Sequence, residues 1–226
     1  MSGTGWVEGF MREFMGLAGG IGGALAGCVP YSSAMTTLQS VEASPGPYTW
    51  EDFLALDDDD GRELIDGHLL EVDVATLPHE EIIATLLYFL GAWARARKAG
   101  RVLASSYKVR ISTRRGVMPD VQFYRAENRA PSGQDEGLTE GRPDLAVEVV
   151  SSSSRRYDRV VKLAWYASIG VPEYWIVDPE ARTLERLVLE AGHYVIADAL
   201  SDTDVFRPAS FEGLVVPLGE LWGAEG

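Results

Sequence analysis

Residues 144 to 150, DLAVEVV, constrain the fold more than any other stretch. Five aliphatic residues surround one carboxylate, Glu148, and the run lies between Arg142-Pro143 and four serines, Ser151 to Ser154. A segment this short and apolar reads as a buried strand. Side chains alternate along a strand, so Asp144, Ala146, Glu148 and Val150 face one way and Leu145, Val147 and Val149 the other. Ionised carboxylates are seldom buried without a cation or hydrogen-bond donors to compensate them. The Glu148 face therefore meets a partner or opens to a cleft.

Around that strand the pattern is regular from Tyr48 onward. YTWEDFLAL has the spacing of a short amphipathic helix, and DDDDG at Asp57 to Gly61 reads as a solvated loop. RELIDGHLLEVDV alternates about Asp66-Gly67, which predicts a hairpin with Glu63 on its first strand. In LPHEEIIATLLYFLGAWARARKAG the apolar residues Ile82, Ile83, Leu86, Leu87, Leu90 and Trp93 recur at helical spacing, with Pro78 in the first turn and Gly100 as the stop. Two strands follow, RVLASSYKVRI and VMPDVQFY, about a turn at Thr113 to Gly116, and a polar loop runs from Glu127 to Gly141. SRRYDRVVKLAWYASIG predicts a serine-capped helix closed by Gly170. EYWIVD is a further strand, and TLERLVL with HYVIA forms a second hairpin. The central order is helix, three strands, helix, strand, and one sheet covered by both helices makes the class α/β.

The first 34 residues stand apart. They contain the uncharged, glycine-rich stretch MGLAGGIGGALAGCVP, too short and glycine-diluted to span a bilayer. Leu25 to Cys28, LAGC, has the form of a lipoprotein cleavage box, but Glu8 and Glu13 precede it where secretory leaders are basic. Residues 1–34 are therefore expected to be a disordered tail, or to precede a true start at Met35, and anchoring at Cys28 is the minor alternative. Residues 35–226 are expected to be one domain, cytoplasmic and of bacterial type, with no stable membrane association. A net charge of -14 argues against broad adhesion to nucleic acid or anionic lipid. A lone cysteine allows no internal disulfide.

The candidate chemistry begins with two acids on neighbouring strands. Asp144 and Glu148 are about 13 Å apart along one strand and do not easily share an ion. Asp120, after Pro119 in VMPDVQFY, sits on a neighbouring strand about 5 Å away, where it and Glu148 can converge on one hard cation. Two carboxylates, a backbone carbonyl and waters suit Mg2+, with Mn2+ as a substitute, and no histidine or cysteine in the group favours zinc. Asp158, Lys162 and Tyr166 follow at four-residue spacing on one helical face.

This set resembles the PD-(D/E)XK nuclease superfamily, although Val150 stands where the superfamily's strand lysine is expected. Within that superfamily the segments ELIDG, PDVQF, PDLAVEVVSSSS, K followed by Y, and GVPEYWIVDP, in that order, resemble the Uma family of restriction-endonuclease-like proteins from Tyr48 to the C-terminus. The resemblance implies a restriction-endonuclease-like core flanked by N-terminal and C-terminal hairpins. It implies Asp120 and Glu148 as metal ligands, with the Val149 carbonyl as a third, and Glu63 as an auxiliary acid. It moves the lysine role to Lys162, which would orient the attacking water. The implied activity is magnesium-dependent phosphodiester hydrolysis, that of a DNA endonuclease. Near two anionic ligands a lysine prefers its charged form, so electrostatic stabilisation is expected of Lys162 rather than action as a free-amine base.

Other readings stay open. Asp120 after a proline can end a strand, Lys162 with Asp158 makes an ordinary helix pair, and the rival function is a non-catalytic nucleic-acid-binding or protein-interaction module. His79 in a first helical turn reads as a polar residue near the cleft, with a catalytic acid or base as the lesser alternative, and Tyr166, Tyr174 and Trp175 read as core, with Tyr166 bordering the site as the lesser alternative. Two basic clusters, one including Arg110, Arg114 and Arg115 and one including Arg155 and Arg156, are candidate phosphate contacts on a nucleic-acid partner, DNA being expected. Cutting both strands with one site per chain would call for a homodimer, and the second hairpin is the exposed element available for it.

Overall fold

The long helix is set by its apolar stripe. In the computed structural model, α2 spans Leu77–Arg97 and buries Ile82, Ile83, Leu86, Leu90, Trp93 and Ala94, the i, i+3/i+4 pattern of an amphipathic helix. It stops earlier than Gly100 predicts. Lys98 adopts φ 52 and closes the helix, while Gly100, at φ 153, opens strand β3 against the Tyr124 carbonyl, too close for a side chain. The structure describes residues 46–57, 60–71, 76–105, 107–128 and 141–223, which belong to the compact unit Pro45–Gly226. The expected tail, the Met35 start, Cys28 and most of the loop at 127–141 lie outside the described residues.

Before α2, the helix α1 (Trp50–Leu54) is held by a capping box in which Thr49 and Asp52 bond reciprocally. Strands β1 (Arg62–Ile65) and β2 (His68–Glu71) form the expected hairpin, with Asp66 and Gly67 at φ 49 and 82 as its two-residue turn requires. The two long strands that follow α2 are each broken. RVLASSYKVRI becomes β3 (Gly100–Ala104) and β4 (Val109–Ser112), and VMPDVQFY becomes β5 (Arg115–Val117) and β6 (Val121–Arg125). Pro119 has no N–H to give a ladder, so the second strand ends before it and a new one begins after it.

The breaks divide the single expected sheet into two. A four-stranded sheet runs in the order β2-β1-β5-β4 and packs Leu64 against Trp50 and Phe53 of α1. A six-stranded sheet runs β10-β9-β8-β7-β6-β3, comprising in addition β7 (Leu145–Val149), β8 (Glu173–Asp178), β9 (Thr183–Glu190) and β10 (His193–Ser201). Only β7 and β8 pair in parallel among the described strands. The connection between them is a π-helical turn, Tyr157–Lys162, that continues as α3 (Leu163–Ser168), with Gly170 at φ 74 beyond it. Serines do serve its entry: Ser151 Oγ accepts from the Ser154 amide and Ser154 Oγ from the Ser151 amide, both at 3.0 Å.

One face of the large sheet is apolar. Val121, Phe123, Leu145, Val147, Val149, Trp175, Val177 and Leu184 join the α2 stripe and the C-terminal residues Phe206, Phe211, Leu214, Val216, Leu218 and Leu221 in the main core. The opposite face carries Gln122, Tyr124, Ala146, Glu148 and Tyr174, which are also buried. Among the described residues no helix is long and apolar enough to cross a membrane.

Candidate active site

The second face gathers charge from three elements. Glu63 comes from β1 of the small sheet, Glu148 from β7, and Asp158 and Lys162 from the π-helical turn. The sheet switch at Pro119 brings the first two together, because the Met118 amide beside the break donates to Glu63 Oε1 at 2.9 Å. Lys162 Nζ lies 3.0 Å from Glu148 Oε2, 3.1 Å from Glu63 Oε1 and 3.5 Å from Asp158 Oδ1. An ammonium has three donors, and here three carboxylates surround it.

Tyrosines bind the far oxygens. Tyr166 OH donates to Glu148 Oε1 at 2.6 Å, Tyr157 OH donates to Glu63 Oε2 at 2.9 Å, and Tyr174 OH donates to the Asp158 carbonyl at 3.2 Å. The π turn makes this arrangement possible. Its i→i+5 bonding sets residues five apart on one side, so Tyr157, Asp158 and Lys162 are all buried and the Lys162 ammonium sits 5.2 Å from the Tyr157 ring centre.

Asp120 completes the group. Antiparallel pairing matches Val121 with Val147, so the next step in register sets Asp120 opposite Glu148. Its Oδ2 accepts from the Val149 amide at 2.7 Å and lies 3.4 Å from His79 Nε2. Asp120 and His79 side chains are 15% exposed, against 5% or less for Glu63, Glu148, Asp158 and Lys162. The Asp120 and His79 edge is therefore the more accessible side of the cluster.

The charges are out of balance: three carboxylates contact one ammonium, and Asp120 adds a fourth beside Glu148. Burial pushes the Glu148 carboxyl well above the usual carboxylate range; Lys162 opposes this, and Asp120, Asp158 and Glu63 add to it. Burial also raises Asp158 to about 6, against the pull of Lys162. For Lys162, burial works against the cation, but Glu148, Glu63 and Asp158 outweigh it and hold the ammonium well above its ordinary pKa. Lys162 is thus a fixed positive charge near neutral pH. His79 shows the same contest: burial opposes its cation, and Asp120 and then Glu80 raise its pKa above the usual value.

Such an excess of carboxylate oxygen suits a hard divalent cation held by one or two acids, with water and ligand oxygens filling the other positions. Among the described residues no three His, Cys, Asp or Glu side chains form a ready cage. Glu148 has both oxygens engaged, by Tyr166 and Lys162, so Asp120 is the more open donor.

Sequence reasoning named Glu63, Asp120, Glu148 and Lys162, and the structure brings all four together. Val149 is present through its amide on Asp120. Tyr157 escaped notice, and Tyr166, read chiefly as core and alternatively as bordering the site on the face of Asp158 and Lys162, touches Glu148. The candidate rim arginines are largely paired within the chain. Arg110 lies 3.9 Å from Glu51, Arg114 donates to the Gly46 carbonyl, Arg115 Nε donates to Asp66 at 2.5 Å, and Arg155 bonds Asp178 at 3.1 Å and Glu180 at 2.8 Å. Arg156 also has an interaction within the chain.

The chain has the fold of a crystal structure described as a putative nuclease belonging to DUF820 from Anabaena variabilis ATCC 29413, with a TM-score of 0.64, 16% identity, and coverage of 78% of this chain and 98% of that one. No curated protein matches. The family model Uma2, described as "Putative restriction endonuclease", matches residues 50–219, most of the chain and the whole of the site, and the protein belongs to the Uma2 family.

Proposed function

We propose that the chain is a magnesium-dependent phosphodiester hydrolase that cuts DNA. The observation that supports it most is the convergence of Glu63, Glu148 and Asp158 on Lys162, with Asp120 opposite Glu148 at the exposed edge. Asp120, Glu148 and the Val149 carbonyl would hold the cation. When bound, the cation supplies charge neutralisation for the reacting phosphate and a lowered pKa for an attacking water.

The chain's own residues do the rest. Tyr166 and Lys162 fix the Glu148 carboxylate, and the Val149 amide fixes Asp120. Lys162 is held as an ammonium, so it stabilises developing negative charge and orients the water rather than removing its proton. Its longest contact, to Asp158 at 3.5 Å, is the one a water or phosphate oxygen displaces. Glu63, tied down by Met118, Tyr157 and Lys162, keeps the ammonium in place.

The test is cleavage of plasmid and linear DNA with Mg2+ by the wild type, Asp120→Asn, Glu148→Gln and Lys162→Met, all confirmed as folded. Activity in the wild type and a loss of about 100-fold or more in each variant is expected. Cleavage that persists in Asp120→Asn rejects the site.

One observation favours a second reading, a non-catalytic nucleic-acid-binding module. Lys162 is saturated by carboxylates, as in a structural ion-pair network. Metal-independent DNA binding without cleavage would establish it. Cutting both strands also implies a homodimer, for which the β9–β10 hairpin at the sheet edge, with Val195 and Ile196 exposed, is the available surface. Light scattering on and off DNA checks that, and cell fractionation checks the cytoplasmic location this function carries.

A further inference from the structure

His79, in the first turn of α2, lies between two carboxylates. Its Nε2 is 3.4 Å from Asp120 Oδ2, and its Nδ1 is 3.5 Å from Glu80 Oε1. Nδ1 is buried and makes no hydrogen bond of acceptable geometry there. Both separations exceed the usual 2.7–3.2 Å of an N–H···O bond. Two neighbouring ligands of one octahedral cation, each bonded at about 2.1 Å, stand about 3 Å apart. The gap between Nε2 and Oδ2 is therefore close to that of two donors sharing a cation. Metal-bound histidines also give their second N–H to a carboxylate, which orients the ring, and Glu80, 3.5 Å from Nδ1, is the carboxylate a small shift of the ring would engage.

We propose that His79 Nε2 ligates the same cation as Asp120, with Glu80 orienting the imidazole, so that the site takes Mn2+ in preference to Mg2+. The inference rests on the metal-dependent reading above and refines it. An imidazole nitrogen favours transition ions over Mg2+, which is best served by oxygen alone. It also revises the donor set expected from sequence, which contained no histidine. The long-range approach of α2 to the entry of β6 is what adds one.

The experiment is pulsed electron paramagnetic resonance of Mn2+ bound to the full chain, alone and with a phosphorothioate-linked DNA duplex, beside calorimetric titrations of Mn2+ and Mg2+. The wild type is expected to show a nitrogen-14 coupling to Mn2+. In His79→Gln the coupling disappears, and Mn2+ affinity falls about tenfold while Mg2+ affinity changes less. Glu80→Gln is expected to keep the coupling and weaken Mn2+ more modestly. Mn2+ binding that depends on Asp120 but shows no nitrogen coupling, or a coupling that survives His79→Gln, overturns the ligand assignment and leaves the metal site standing. Absence of Mn2+ binding with and without DNA overturns both readings.

Discussion

The two faces of the large sheet are built from alternate residues of the same strands and do opposite things. On one, Leu145, Val147 and Val149 of β7 join Trp175 and the α2 stripe in a continuous apolar core. On the other, Glu148 shares its face with Tyr174 and meets Lys162, Tyr166 and three further acids. Both faces are dry. The first removes apolar surface from water, which stabilises the fold. The second crowds like charge at low dielectric, which costs stability and persists because the surrounding donors over-determine it. The difference shows that burial alone does not make a core: the chemistry of alternate positions gives one face to apolar packing and gathers the charged groups on the other.

The sharpest way to break that comparison uses one variant on each face. Trp175→Ala empties a space beside Phe206 and Phe211 and is expected to cost about 3–5 kcal/mol at any pH where the chain folds. Lys162→Met leaves Glu63, Glu148 and Asp158 without their cation, with a similar expected cost of about 3–5 kcal/mol near neutral pH. The two should part on acidification. Protonating the orphaned carboxyls relieves Lys162→Met, and nothing relieves Trp175→Ala. Urea unfolding near pH 7 and pH 5 checks this, and equal behaviour of the two variants would remove the distinction.

Asp158 tests the cost of the polar face directly. It titrates at about 6 when folded, against an ordinary 3.8, because burial outweighs the help of Lys162. A raised folded pKa means that between those values the folded chain keeps a proton the unfolded chain has lost, so stability falls as pH rises through that window. At about 1.4 kcal/mol per unit, the loss above it reaches about 3 kcal/mol. Asp158→Asn is therefore expected to exceed the wild type in stability by up to about 3 kcal/mol near pH 8 and to match it below the window. A smaller effect is expected of Tyr166→Phe, which removes one hydrogen bond to Glu148, at about 1.5–3 kcal/mol. Calorimetric melting across pH separates the two.

Much of this was legible before the structure. The aliphatic run with Glu148 inside it marked a strand and a problem of charge, and helical spacing located α2 and the face shared by Asp158 and Lys162. The sheet switch was not legible, because strand-like residues lie on both sides of Ser105-Ser106 and say nothing about which sheet receives each half. The π turn was hidden for a related reason: YDRVVK scans as ordinary helix, and its extra residue changes which side chains point inward. Tyr166 read chiefly as core although its spacing set it on the face of Asp158 and Lys162, and its hydroxyl acquires its partner only when Glu148 is placed against it. His79 met Asp120 across 41 positions of chain, a contact that no local pattern encodes.

The smallest expected effect on stability belongs to Arg155, and it separates fold from function at the rim. The side chain is 40% exposed and bonds Asp178 and Glu180, and exposed pairs of this kind contribute little to stability. Arg155→Ala should therefore barely move the melting transition. If the guanidinium also tracks phosphate, the variant loses affinity for DNA uniformly across sequences, and the slope of log affinity against log salt shrinks by about one. The internal acids compete for the same guanidinium, so the contact is expected to strengthen in Glu180→Gln, which frees one bond without touching the buried Asp178. Fluorescence anisotropy over a salt series measures both slopes. An unchanged slope in Arg155→Ala assigns the residue to the fold alone.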